Sequence, residues 1–96
     1  MPYIKRDQRN QLDNAINELA KLMSQMDDGG RKGILNYVVT KIMLEVIGKD
    51  IKYGKINDVV GALECCKLEL YRRLAAVYED QKIKENGDCY WRGIYG

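Results

Sequence analysis

The sequence predicts an all-α protein, a small bundle of three main helices plus a C-terminal segment, assembled as a homo-oligomer. Three observations carry that expectation. Apolar residues recur three and four positions apart through three long runs, which places them on helical stripes. Clusters of glycine, asparagine and aspartate, the residues that tolerate turn geometry, separate the runs. The third run is too long for the core so short a chain can build. Ninety-six residues make one domain, 1–96, that buries only roughly two thirds of the surface its unfolded form exposes, so partner chains would add to a modest core.

In DQRNQLDNAINELAKLMSQM, Leu12, Ile16, Leu19, Met23 and Met26 step by four, three, four and three, giving a helix over about 8–26 with one apolar stripe. Asp7 suits its N-terminal pole, and DDGGRKG, from Asp27 to Gly33, reads as the turn that follows. The next run, ILNYVVTKIMLEVIG, is rich in β-branched residues, which favour strands. Leu35, Val38, Val39, Ile42, Val46 and Ile47 nevertheless recur at helical spacing, and Lys41 and Glu45 fall four apart on the other side. The run therefore reads as a helix over 34–47, the most buried of the three because apolar residues cover much of its circumference, with Gly48 as its stop.

GKDIKYGKIN is a basic, glycine-punctuated connection in which Ile51 and Tyr53 alternate with charge, suiting a short extended segment. Asn57 offers an N-cap oxygen, and Val59, Leu63, Cys66, Leu70, Leu74 and Val77 continue the stepping through a third helix over 57–85. Unbroken from Asp58 to Glu85, it would run about 42 Å at 1.5 Å per residue. A compact domain of this length has a radius of gyration of only about 12 Å. The helix therefore either breaks near Tyr78 or packs its distal part on another chain. Asn86 and Gly87 end it. The tail 86–96, with Tyr90, Trp91, Ile94 and Tyr95, is apolar enough to pack onto the domain or a neighbour.

Several function classes drop out. Sixteen basic against fourteen acidic residues leave a net charge of +2, too weak a balance to imply a polyanionic partner. The start MPYIKRDQRN lacks the apolar stretch of a secretion signal, and no run approaches the roughly twenty apolar residues that span a bilayer. A cytoplasmic protein without membrane contact is expected. Cys65, Cys66 and Cys89 are odd in number, and a bond between the adjacent pair on a helix would be badly strained, so they read as reduced thiols. With no histidine and no paired Cys-x-x-Cys, neither a structural zinc nor imidazole chemistry is expected, and no cofactor is assigned.

MPYIKRDQR, LNYVVTKI, the run from Ile56 through LECCKLELYRRLAAVYED, and KIKENGDCY resemble a family of short proteins of unknown function found in phages, bacteria and archaea. These motifs cover most of the chain from Met1 to Tyr90, and the combination LELYRRL, YED and ENGD is the specific part. The resemblance brings no settled activity. Its pattern includes a proline about where Val77 stands, which would favour a break just before Tyr78; valine departs from it. WRGIYG extends past the usual ending.

The candidate ligand-binding residues lie mostly in the last third. Arg72 and Arg73 offer guanidiniums that fork onto phosphate or carboxylate oxygens. The plain alternative pairs Arg72 with Glu69 or Asp80, and Arg73 with Glu69. Tyr71 and Tyr78, seven apart on one helical face, could hold a nucleobase with Tyr37 facing them from the second helix. The plain alternative is ordinary packing with the phenols at the rim. Asn36 or Asn86 would read base edges. Lys82 and Asp88 complete the set within YEDQKIKENGDCY, which has more side-chain functionality than a helix end requires.

Glu79, Asp80, Glu85 and Asp88 match no calcium loop, so no metal is assigned. The basic arm Lys5, Arg6 and Arg9 and the basic loop Lys49, Lys52 and Lys55 are blunted by Asp7 and Asp50 and carry no nucleic-acid signature. GKDIKYGK lacks the spacing of a phosphate loop.

The expected function is a non-enzymatic protein that captures a small anionic ligand, a nucleotide or cyclic nucleotide, in clefts of a homo-oligomer. The phage context of the resembling family suggests sequestration of a host immune signal, by analogy with other small viral sponge proteins. A protein-interaction module or inhibitor is the first alternative, and a nucleic-acid-binding accessory protein the second.

Overall fold

The computed structural model describes residues 3–26 and 30–90. Its helices are α1 (Arg6–Ser24), α2 (Arg31–Ile47), α3 (Tyr53–Leu70) and α4 (Ala76–Asn86), with a π-helical turn at Tyr71–Ala75 joining the last two. No strand occurs among the described residues. The chain is a small all-α protein, as the apolar spacing predicts. Its contacts define two units, Met1–Ala62 and Leu63–Gly96, with the boundary inside α3.

In the first unit, α1 opens where Gln8 Oε1 accepts from the Lys5 backbone N–H at 3.3 Å, one half of a capping box. Arg9 Nε donates to the Ile4 carbonyl at 2.8 Å. Asp7 in the first turn and Lys21 in the last complement the helix dipole. Of the turn expected over Asp27–Gly33, residues 27–29 lie outside the described set, and Arg31–Gly33 form the first turn of α2. Within the β-branched run, which is helical, the Thr40 hydroxyl finds its partner in the helix itself, donating to the Asn36 carbonyl one turn back at 2.7 Å. Gly48 then ends α2: its N–H donates to the Leu44 carbonyl at 2.9 Å. Its φ of 77° and ψ of −175° form a combination that belongs almost wholly to glycine.

The third helix starts earlier than Asn57. α3 begins at Tyr53, so no extended segment forms, and Asn57 lies inside the helix. Two lysines take over the anchoring expected of the asparagine. Lys55 Nζ donates to the Asp50 carbonyl at 2.9 Å, and Lys52 Nζ lies 3.7 Å from the Asp50 carboxylate. The Ile56 N–H donates to the Lys52 carbonyl at 3.2 Å and closes the first turn.

No described residue is fully buried. The half-buried apolar positions concentrate in α2, at Ile34, Val38, Val39, Met43 and Ile47, as its all-round apolar character predicts in relative terms. On α1 only Met23 is comparably covered. The end of α1 and the start of α2 share a groove lined by Leu19, Leu22, Met23 and Met26 on one side and Ile34, Tyr37 and Val38 on the other.

In the second unit, regular α-helical bonding gives way at Tyr71–Ala75, and Tyr78, near which the length of the third run leads one to expect a break, lies within α4. α4 closes at Gly87, whose φ is 88° and whose N–H donates to the Ile83 carbonyl at 2.8 Å. Tyr90 is exposed. Trp91, Ile94 and Tyr95, expected to pack, lie outside the described residues. Among the described residues, no helix is long and apolar enough to cross a membrane.

These backbone conformations predict opposite effects for two glycine-to-alanine changes. Gly48→Ala forces a side chain into a glycine-only conformation and is expected to cost about 1–3 kcal/mol. Gly61→Ala, inside α3 with open space where its Cβ would stand, should stabilise by about 0.5–1 kcal/mol. Urea denaturation followed by far-UV circular dichroism gives both signs.

Candidate functional site

The site begins with a spacing irregularity. Cys66, Leu70 and Leu74 make two consecutive steps of four. Each such step overshoots a regular α-helical turn by about 40°, so two in succession carry an apolar stripe off line. The π-helical turn takes up the excess: the Ala76 N–H reaches back to the Tyr71 carbonyl, five residues away. The turn widens, and Leu70 and Leu74 both face one groove. Such single turns recur at functional sites.

The groove has a volume of about 440 Å³. Leu70, Tyr71, Leu74 and Tyr78 form its apolar wall, with Lys67 and Glu79 its first and last residues along the helix. Ala75 lies between the two tyrosines in sequence and is the one half-buried residue among those lining it. Tyr71 and Tyr78 are 61% and 58% exposed, so their ring faces are available.

The arginines do something else. Arg72 Nη2 donates to Glu69 Oε1 at 2.8 Å, and Arg73 Nη1 stands 3.9 Å from the same oxygen. Neither arginine lines the groove. This is the plain pairing that helical spacing allows, with one half-buried carboxylate shared between two exposed guanidiniums. Because both cations are well solvated, each pair contributes no more than about 1 kcal/mol.

The other candidates are dispersed. Lys82 Nζ lies 5.4 Å from the centroid of the Tyr78 ring and 3.2 Å from the Glu85 carboxylate, so it extends the groove's chemistry toward the end of α4. Asn86 is the last residue of α4. Asp88 Oδ1 accepts from the Tyr90 N–H at 2.9 Å, a local turn that fixes the chain after Gly87. Asn36 and Tyr37 belong to the first unit. Asn36 accepts from Thr40, and Tyr37 lines the groove shared by α1 and α2. Tyr71, Tyr78 and Lys82 are therefore the predicted residues brought together within one unit. Cys65, Cys66 and Cys89 are free and exposed, and among the described residues no three histidine, cysteine or carboxylate side chains gather as metal ligands.

Lys67 and Ala75 have parts in the groove that the sequence reading does not give them, and Glu79 appears there only as a possible metal ligand. The signal for all three is their spacing: Lys67, Tyr71, Ala75 and Glu79 stand four apart, one per turn of the same helix.

Four α-helices and a π-helical turn, with no strand among the described residues and a tyrosine-lined groove where the last two helices join, define a small all-α helical protein. The chain belongs to the family described as Domain of unknown function (DUF6899), whose model matches residues 1–89. The matched segment contains the groove and every candidate residue, and WRGIYG lies beyond it. No match was found among the curated proteins or among the solved structures.

A double-mutant cycle on Arg72→Ala and Glu69→Ala, read by chemical denaturation, should return a coupling of about 0.3–1 kcal/mol, falling with added salt. A coupling several times larger would mean that the pair is buried.

Proposed function

We propose that the chain is a non-enzymatic binding protein that works as an assembly, its helices completing their core against other protein chains. One observation carries this reading. No described residue is buried, while Leu70, Leu74 and Val77 remain 61%, 64% and 61% exposed. Single exposed leucines are ordinary on protein surfaces, but consecutive turns of one helix showing leucine, tyrosine and valine make a continuous patch of the kind that marks an interaction surface. Tyrosine and arginine beside leucine are also the residues on which interfaces concentrate their energy. The protein would act in the cytoplasm, that of the host where a phage encodes it.

Association of this kind makes stability depend on concentration by mass action. The expected result is a melting temperature that rises with protein concentration, together with multimers or a stoichiometric protein partner in native mass spectrometry. A concentration-independent, cooperative melt of a monomer counts against the reading.

Tyr71 and Tyr78 on one groove, with Lys67 at its edge, favour a second reading within the same class. It is capture of a small anionic ligand bearing a flat base, a nucleotide or cyclic nucleotide, in clefts of the assembly, the use a phage sponge protein would make of it. Each stacked ring would supply roughly 1–3 kcal/mol, and Arg72 and Arg73 would exchange the Glu69 carboxylate for phosphate. Calorimetry against linear, cyclic and ADP-ribose-type nucleotides should give heat that Tyr71→Ala abolishes. A panel without heat removes this reading and leaves the first standing.

A further inference from the structure

Resting on the reading that the helices assemble, we infer that the partner over the Tyr71–Tyr78 groove is a second copy of the same chain, its helix running antiparallel with Lys67 of each copy opposite Glu79 of the other. The charges at the two ends of the groove carry the choice of occupant. The groove begins at a cation, Lys67, and ends at an anion, Glu79, with apolar and aromatic groups between. A face patterned in this way is complementary to itself when reversed, as the interface of a two-fold dimer requires. A parallel arrangement would instead set lysine against lysine and glutamate against glutamate.

The same register has a steric consequence. Placing residue 67 level with residue 79 also places Tyr71 level with Ala75 of the other copy, and this occurs twice about the two-fold axis. Ala75 is the smallest side chain of the groove, so the space beside it admits a ring. Lys67 keeps its own-chain partner, Glu64, at 2.9 Å, while Glu79 has no ion-pair partner among the described residues. Glu79 is therefore the charge that gains most from the pairing.

The area is sufficient. Leu70, Tyr71, Leu74 and Tyr78 are 58–64% exposed. With large side chains each presenting on the order of 100 Å² at such exposure, two copies together cover about 1,000 Å² once the flanking residues are included, the lower bound for a specific interface. Apolar contact supplies the affinity. The lysine and glutamate fix direction and register, because exposed ion pairs add little energy while like charges set face to face are costly.

Sedimentation equilibrium on the full chain tests this with Lys67→Glu, Glu79→Lys and the double variant, each checked for unchanged helicity. The expected result is a dimer or higher even-numbered assembly, weakened about tenfold or more by either single change and restored to near the original strength by the double change. An oligomer indifferent to all three variants overturns the antiparallel pairing but keeps the reading that the helices assemble through another face. A chain that stays monomeric at high micromolar concentration also overturns the pairing. A thermal melt then decides the broader reading, since a monomer that unfolds cooperatively has completed its core alone, whereas one that melts without cooperativity still lacks a partner of another kind.

Discussion

Helices of this length are not self-sufficient in water. The first turn of a helix fixes several residues for a single hydrogen bond, and in folded proteins the deficit is made up mainly by covering an apolar face. α1, α2 and α3 have 19, 17 and 18 residues, long enough to present several turns of such a face and too short to persist on propensity alone. Caps and lysine tethers fix where each helix begins and ends, but each is worth only about a kcal/mol. Burial of leucine, isoleucine and valine is the term large enough to matter, at roughly 25 cal/mol per Å², and on the proposed reading it is completed against other chains. Leu12, Ile16 and Leu22 on α1, and Leu35, Ile42 and Leu44 on α2, all remain more than half exposed or at its edge.

That demand explains why a helix tolerates irregular bonding at Tyr71–Ala75. In a continuous α-helix the stripe through Cys66, Leu70 and Leu74 would drift by about 80° around the surface. The wider turn gives up some regular bonding and brings Leu70, Tyr71, Leu74 and Tyr78 to one groove. Local irregularity and groove are thus two consequences of the same residue spacing.

Much of this was legible in the sequence, and the limits have physical causes. The three-four stepping reveals α1 and α2 because amphipathic periodicity depends only on where apolar residues fall. Gly48 and Gly87 mark helix ends because few other residues accept their backbone angles. The start of α3 was displaced because its anchoring comes from Lys52 and Lys55 reaching back to Asp50, and flexible lysines leave no positional signature of the kind a capping asparagine does. The π turn at Tyr71–Ala75 was not read from the sequence, where Cys66, Leu70 and Leu74 continue the helical stepping, because steps of four also occur in regular helices, where the 3.6-residue repeat needs them occasionally. In the groove, the pairing of Tyr71 with Tyr78 followed from their seven-residue separation. The pairing of both arginines with Glu69 was legible only as the plain alternative, because helical spacing allows a salt bridge without choosing it over a ligand.

The shared Glu69 also bears on how an anion could be held. Exposed pairs of this strength are easily exchanged, so the carboxylate does not by itself prevent Arg72 or Arg73 from turning to a phosphate. Enclosure is the harder requirement. A groove on one side of one helix offers tyrosine faces from a single direction and leaves a bound base in water on the other side, where stacking alone gives weak affinity. A second wall would exclude water, strengthen the guanidinium contacts and present a second pair of rings. On the proposed readings, ligand capture and chain association therefore share one prerequisite, a second helix that closes the groove.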